Sequence, residues 1–426
     1  MKTQILFQEN QFEALKRLLK EQEFKRIFLV RGDKSYENSG AETFIKKLSE
    51  KIEIVSFSNF DVNPNVSDLR RGVNKFNYGQ EVLNIDIFDE KTFKTKLLKF
   101  LKSRSLHFVN DYFKNESNAV LDVFAQRSFF DLILAIGGGS VLDMAKLISV
   151  FANQSGDFED IIQNNRIEGI IKTPLLAIPT TAGTGAEATH FAVIYIGKNK
   201  YSVAAKSILP DYVYLSSEFS ASAKSYLTAC TGLDAFSQAI ESVWSVSSTK
   251  ESELYALKAI EIIWKNIAKA VNNNDRIAKS AMQEAAFLAG KAINITKTTA
   301  PHAISYTFTS YYGIPHGHAV SLSLPYFIKY NYNLVEEDCT DNRGFMSVKN
   351  RIDKILNILD LNIMEVEEAL IKFFELLGIE INIDKLIQKF DKELIINNVN
   401  TERLNNNPRM VTKETINSFI EKSIKY

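Results

Sequence analysis

Three of the five histidines in this chain fall within one stretch, PHAISYTFTSYYGIPHGH (residues 301–318), at His302, His316 and His318. Imidazole readily ligates a transition metal or moves a proton near neutral pH, so this clustering points to a site. His302 and His316 flank an aromatic, glycine-containing turn that could bring their rings to one point. A second stretch, GLDAFSQAIES (232–242), offers Asp234 and Gln238, four residues apart and therefore on one helix face. A carboxylate and two imidazoles suit a divalent transition metal that polarises an oxygen. A lone histidine is more often a satisfied polar residue, and spacing alone does not bring residue 234 to residues 302 and 316.

A different chemistry is suggested by DLILAIGGGSVLDMAK (131–146), where an apolar run enters Gly137, Gly138, Gly139 and Ser140 and then a helical pattern. Unhindered backbone N–H groups at the positive end of a helix would meet a phosphate there. The pattern is neither G-x-G-x-x-G nor a Walker A loop, and a tight turn alone would use the same glycines. PTTAGTGAEAT (179–189) also follows an apolar run and is dense in small and hydroxyl side chains, as a wall around a flat ring or an ordinary polar loop would be.

These segments need elements to position them. RIFLV (26–30), IEIVSF (52–57), DLILAI (131–136), PLLAIP (174–179) and YVYL (212–215) read as buried strands, with AETFIKKLSEK and SVLDMAKLISVFAN as helices between them. That alternation predicts parallel βα units. From about residue 219 the strand signal stops, and LDAFSQAIESVW, SELYALKAIEIIWKNIAKAV, IAKSAMQEAAFLAGKAI and the tail after 350 carry helical periodicity. A length of 426 residues with 45% hydrophobic content supports two cores, expected to pack closely across a cleft. NNND (272–275) and NNNPR (405–409) read as surface loops. Basic and acidic residues balance at 51 each, which argues against nucleic acid or an anionic membrane as partner and for a small molecule. No apolar run approaches the ~18 residues of a membrane helix. Cys230 and Cys339 lack metal or redox spacing and, with no secretory leader, suit a cytoplasmic protein.

Four motifs then carry a resemblance. GGGSVLDMAK, PTTAGTGAEAT, GLDAFSQAIES, and AGKAINITKTTAPHAISY leading into GIPHGHAV resemble, in order and spacing, the iron-containing, group III alcohol dehydrogenases, over about residues 130 to 330 and more weakly over the first 75. The resemblance implies an α/β dinucleotide-binding domain with a Rossmann-like parallel sheet (1–216) and an all-α metal- and substrate-binding domain (217–426), the architecture of dehydroquinate synthase. It implies a metal, Fe2+ or Zn2+, on Asp234, Gln238, His302 and His316. Gly137, Gly138, Gly139 and Ser140 would hold the pyrophosphate, with Asp143 on the following helix, and Thr180, Thr181 and Thr184 would line the nicotinamide. A homodimer is expected.

Departures from the family pattern shape the expected function. Gln238 stands where a histidine ligand is usual, so the metal takes an amide oxygen, a water, or three protein ligands. Tyr306 replaces a further active-site histidine, and His318 falls where no ligand is needed, as a group behind the metal or facing the substrate. Asn294, Lys297, Thr298 and Thr299 replace a glycine-rich turn before His302. A cation and hydroxyls there would suit an anionic aldehyde. The segment resembles phosphonoacetaldehyde reductases, so the expected reaction is reduction of phosphonoacetaldehyde to 2-hydroxyethylphosphonate. In LVRGDKSY, Arg31 and Lys34 would meet a 2′-phosphate, leaning the NAD(P) choice toward NADP, while Asp33 would suit NAD. An insertion is expected near residues 76–127, including EKTFKTKLLKFLKSR. The alternatives are an alcohol, diol or sugar-acid dehydrogenase of the same fold, a lyase resembling dehydroquinate synthase, and a binding remnant without catalysis.

Overall fold

A computed structural model describes residues 3–7, 13–78, 130–167, 173–197, 199–399 and 404–426. The expected insertion, with EKTFKTKLLKFLKSR, lies outside the described residues apart from its first positions, which end a helix. The chain divides into two compact units, Met1–Ile178 with His190–Tyr214, and Pro179–Thr189 with Leu215–Tyr426.

The first unit is built on β1 (Gln4–Phe7), β2 (Arg26–Arg31), β3 (Glu53–Phe57), β4 (Leu132–Gly137), β5 (Leu175–Pro179) and β8 (Tyr212–Leu215), in the order β1-β8-β5-β4-β2-β3. The pairs β2–β3, β2–β4 and β5–β8 are parallel. Every residue of β4 is buried, as a central strand covered on both faces requires, and this is why its sequence reads as an unbroken apolar run. Two features escaped the sequence reading. The short β1 lies at a sheet edge, and β6 (Phe191–Ile196) and β7 (Asn199–Ala204) form an antiparallel hairpin turning at Gly197, whose φ of 60° suits such a turn. One residue after β4, α1 (Gly139–Phe151) begins. A Cβ on Gly137 would lie 2.4 Å from a Val141 methyl, so only glycine allows strand and helix to meet this closely.

Among the described residues of the second unit, secondary structure is helical apart from the last residues of β5 and β8 and one bridge between Cys339 and Arg409. Its central element is α2 (Ser225–Trp244), which packs against α3 (Lys250–Asn272), α4 (Arg276–Thr296) and α6 (His316–Ser321), with α5 (Ala300–Tyr312) beside the last. From Thr228 to Trp244 nearly every side chain of α2 is buried, so its polar residues need partners inside the protein. Asp275 caps α4, accepting from the Ala278 amide at 2.8 Å. The reading of NNNPR as a surface loop is corrected here: Asn407 is fully buried and exchanges amide hydrogen bonds with Asn331 at 2.8 and 3.2 Å, which lets both amides leave water. Among the described residues, no helix is long and apolar enough to cross a membrane.

Candidate functional site

Within the second unit, ligand atoms of Asp234, His302 and His316 all lie within 4.8 Å of one another. Asp234 comes from the middle of α2, His302 from the first turn of α5, and His316 is the first residue of α6. Gly313 makes the last two meet: at φ 69° it ends α5 and turns the chain back. His302 Nε2 lies 3.3 Å from Asp234 Oδ1, and Ser305 Oγ approaches His316 Nδ1 at 3.5 Å.

Gln238, one turn after Asp234, donates from Nε2 to Asp234 Oδ1 at 3.1 Å. Its Oε1 is buried and has no hydrogen-bond partner among the described residues. A buried amide oxygen without a partner costs about 1–3 kcal/mol, and this one belongs to a side chain bonded to a member of the Asp234, His302 and His316 cluster, so a cation there would satisfy it. The donor set fits a divalent metal. Because imidazole binds first-row metals better than an amide oxygen, Gln238→His is expected to raise metal retention by about tenfold or more, read as the metal-to-protein ratio after dialysis. Unchanged retention would separate Gln238 from the metal.

The residue that sequence reading missed is Glu241. It is fully buried, and its Oε1 accepts from His302 Nδ1 while its Oε2 accepts from the Thr299 amide (2.6 Å) and hydroxyl (2.8 Å). That bond fixes the His302 tautomer with Nε2 turned toward Asp234. A signal existed: residues 234, 238 and 241 are spaced four and three, one face of one helix. Burial lowers the pKa of His302, but the carboxylates of Glu241 and Asp234 outweigh it and raise the value to about 9. Burial would raise that of Asp234, yet the His302 hydrogen bond and the His316 charge hold it below the usual carboxylate range. A metal entering here takes the place of a proton.

The remaining expected residues are distributed unevenly. Tyr306 stacks on His316, ring centroids 5.6 Å apart and nearly parallel at 7°, which puts it beside the centre. Asn294 lies half-buried near the end of α4, and Lys297 caps that helix as an exposed side chain. His318 stands apart from this cluster: Nδ1 meets the Tyr226 hydroxyl at 2.8 Å and Nε2 donates to the Glu380 carbonyl at 2.7 Å. Both of its ring nitrogens are engaged by the protein.

In the first unit Gly138 caps α1 in an extended conformation, and Gly139 and Ser140 form its first turn. This is a helix N-terminus at the carboxyl edge of a parallel sheet, where phosphates bind. Ser140 Oγ is hydrogen-bonded to the Val62 carbonyl. Asp143, expected near the dinucleotide, instead accepts from the Val193 amide at 3.0 Å and lies 3.7 Å from the ammonium of buried Lys146, tying α1 to β6; burial lifts its pKa. The register pairs Arg31 with Ile136, so Arg31 ends its strand beside the glycine turn. Its Nε donates to Ser56 at 3.0 Å, and its guanidinium lies 3.6 Å from Asp33, while Lys34 is exposed. Thr180, Thr181 and Thr184 belong to the 179–189 segment of the second unit, where Gly185 (φ 59°) packs its Cα against Gly290 too closely for any side chain. Thr180 Oγ1 is buried without a partner among the described residues, and Thr184 Oγ1 accepts from the Ala186 amide at 3.3 Å.

Comparison with known proteins agrees with this geometry. The chain is 34% identical over 234 residues to the phosphonoacetaldehyde reductase of Streptomyces viridochromogenes, spanning 53% of this chain and 59% of that protein, less than two thirds of its length. It is 30% identical over 305 residues to the sulfoacetaldehyde reductase of Bilophila wadsworthia, spanning 68% of this chain and 76% of that one. The iron-containing alcohol dehydrogenase of Thermococcus thioreducens shares the fold, with a TM-score of 0.76, 20% identity, and coverage of 100% of this chain and 99% of that one. Residues 95–217 match the family of iron-containing alcohol dehydrogenases and residues 228–424 match its C-terminal domain, so three helices that present a carboxylate and two imidazoles, and a glycine turn at a helix N-terminus, lead to one conclusion: the chain belongs to the iron-containing alcohol dehydrogenase family.

Proposed function

We propose that this protein is a metal-dependent reductase that uses NAD(P)H to convert a small anionic aldehyde to a primary alcohol, with phosphonoacetaldehyde and 2-hydroxyethylphosphonate as the substrate pair. The observation that carries the proposal is the convergence of Asp234, His302 and His316 within 4.8 Å beside the unpartnered Gln238 oxygen. Bound there, a divalent iron or zinc supplies positive charge at the aldehyde oxygen, and the dinucleotide supplies the hydride.

The chain's own residues do the rest. The backbone N–H groups of Gly138, Gly139 and Ser140 bind the pyrophosphate. Glu241 holds the His302 ring in one orientation, and Thr299 holds Glu241. Tyr306, stacked on His316, delivers from its hydroxyl the proton that the new alcohol oxygen requires. Lys297 is exposed and has no ion-pair partner among the described residues, which suits an anionic group on the substrate. Two relatives named for phosphono- and sulfoacetaldehyde support the same substrate class. Both cysteines are free, consistent with the reducing cytoplasm in which we place the protein.

The test is purified protein of known metal content, assayed for NADH and NADPH oxidation with phosphonoacetaldehyde, sulfoacetaldehyde and uncharged propanal. Net oxidation with preference for an anionic aldehyde is expected. Dinucleotide binding without net oxidation would instead indicate a lyase that returns its hydride, as in dehydroquinate synthase.

For the cofactor we propose NADP. Replacing Arg31 or Lys34 by alanine is then expected to weaken NADPH binding by about 1–3 kcal/mol per charge-assisted contact, with NADH binding nearly unchanged. Titration of both cofactors checks it. Equal loss for both, or tighter wild-type binding of NADH, would assign the ribose to Asp33.

A further inference from the structure

Lys297 ends α4 at φ 57° and ψ −172°, a backbone region occupied almost only by glycine and costly for any residue with a side chain. It differs from other positive-φ residues such as Asn165 (φ 47°, ψ 42°) and Asp360 (φ 53°, ψ 47°), which sit in the ordinary left-handed helical region that short polar side chains tolerate.

The carbonyls of the residues on either side of Lys297 are clamped. Asn406 donates from Nδ2 to the carbonyls of Thr296 (2.8 Å) and Thr298 (3.0 Å), and Ser245 Oγ fixes the other end of that amide at 2.9 Å. Two residues on, Thr299 is bound through both its amide and its hydroxyl to Glu241, the carboxylate whose other oxygen holds His302. Lys297 therefore lies within two residues, about 7 Å of chain, of a group that shares a carboxylate with a candidate metal ligand. Its own side chain is exposed, and among the described residues no carboxylate pairs with it. Glycine would relieve the backbone, and with the side chain exposed the chief group lost would be the ammonium. A lysine held there by outside contacts is explained by a use for that ammonium.

We propose that Lys297 is the residue by which this protein selects aldehydes bearing an anionic group, and that Asn406 is the positioning residue that holds it in its strained turn. The proposal rests on the anionic-aldehyde reading above and adds the residues that enforce it. Asn406 lies 108 residues from Thr298 in sequence, so the C-terminal segment contributes to specificity without touching the metal.

The experiment compares wild type, Lys297→Gly, Lys297→Arg and Asn406→Ala, each with its metal content measured. The readouts are the ratio of kcat/KM for phosphonoacetaldehyde to that for propanal, calorimetric binding of 2-hydroxyethylphosphonate, and the unfolding midpoint. Lys297→Gly is expected to lower the ratio about 10–100-fold, weaken 2-hydroxyethylphosphonate binding, and leave the propanal rate and metal content in place. It should also unfold at the wild-type temperature or about 2–4 °C higher, because strain is removed. Lys297→Arg should keep most of the preference, and Asn406→Ala should lose part of it while retaining metal and the propanal rate. A wild type with no preference for the anionic aldehyde overturns the reading on which the proposal rests. A preferring wild type whose preference survives Lys297→Gly overturns the proposal alone. Loss of stability in Lys297→Gly removes the strain argument, and equal slowing of both substrates by Asn406→Ala reduces Asn406 to a purely structural residue.

Discussion

Replacing His302 or His316 by alanine is expected to strip the second unit of metal and to abolish aldehyde reduction. The loss of metal affinity should exceed the roughly 10–100-fold that removal of an outer hydrogen-bond partner costs, because a ligand itself is gone. The two variants differ in what else they disturb. His302 is 3% exposed and bonded through both nitrogens, so its removal leaves fully buried Glu241 with an unpaired oxygen. Breaking a buried charge pair from one side costs about 3–5 kcal/mol, so His302→Ala should also lose stability. His316 is only half-buried, and unlike His302 it does not bond a fully buried carboxylate among the contacts described above, so its loss is milder for the fold. His316→Ala is therefore the cleaner test, read as metal-to-protein ratio after gel filtration alongside circular dichroism. A wild-type ratio in that variant would remove the assignment of the centre.

Local signals in the sequence reached much of this fold. Each of the five strands expected in the first half is present within a residue or two, because a central parallel strand such as β4 is apolar throughout and ends at glycines. The β6–β7 hairpin was missed although burial alternates along most of β6, because β7 shows no such alternation and its lysine, tyrosine and asparagine blunt the apolar contrast. At the metal centre the ligand types were readable, but their meeting was not, since Asp234 and His302 are 68 residues apart and nothing local joins them. Glu241 carried a readable signal, its helical spacing from Asp234, which the search for imidazoles passed over. His318 shows the converse. Proximity to His316 in sequence suggested shared chemistry, yet successive positions on a helix point about 100° apart, and two residues on the ring faces Tyr226 and Glu380. Asn406 had no readable signal, because a run of asparagines is usually solvent-exposed and its partners are over a hundred residues away.

The glycine between those two histidines sets the second large effect. Gly317→Ala is expected to destabilise the second unit and weaken metal retention, although alanine is the better helix former by about 1 kcal/mol. A Cβ on Gly317 would fall 1.8 Å from the Cys230 carbonyl oxygen and 3.0 Å from the Asp234 Cβ, whereas real Cβ contacts essentially never come under 3.0 Å. The neighbour in the way is backbone, which cannot rotate aside, so α6 and α2 must separate by about an ångström where they present His316 and Asp234. Forcing an extra carbon into a packed contact costs about 1–3 kcal/mol, which outweighs the propensity gain, and the spacing of two ligands changes with it. Gly313→Ala provides the contrast. Nothing lies within 4 Å of a Cβ there, so that variant bears only the strain of φ 69°, a loss near 1 kcal/mol, and should keep its metal. Thermal unfolding and metal analysis of the two variants side by side decide the matter. If Gly317→Ala unfolds at the wild-type temperature with its metal retained, the close approach of α6 to α2 does not set the geometry of the centre.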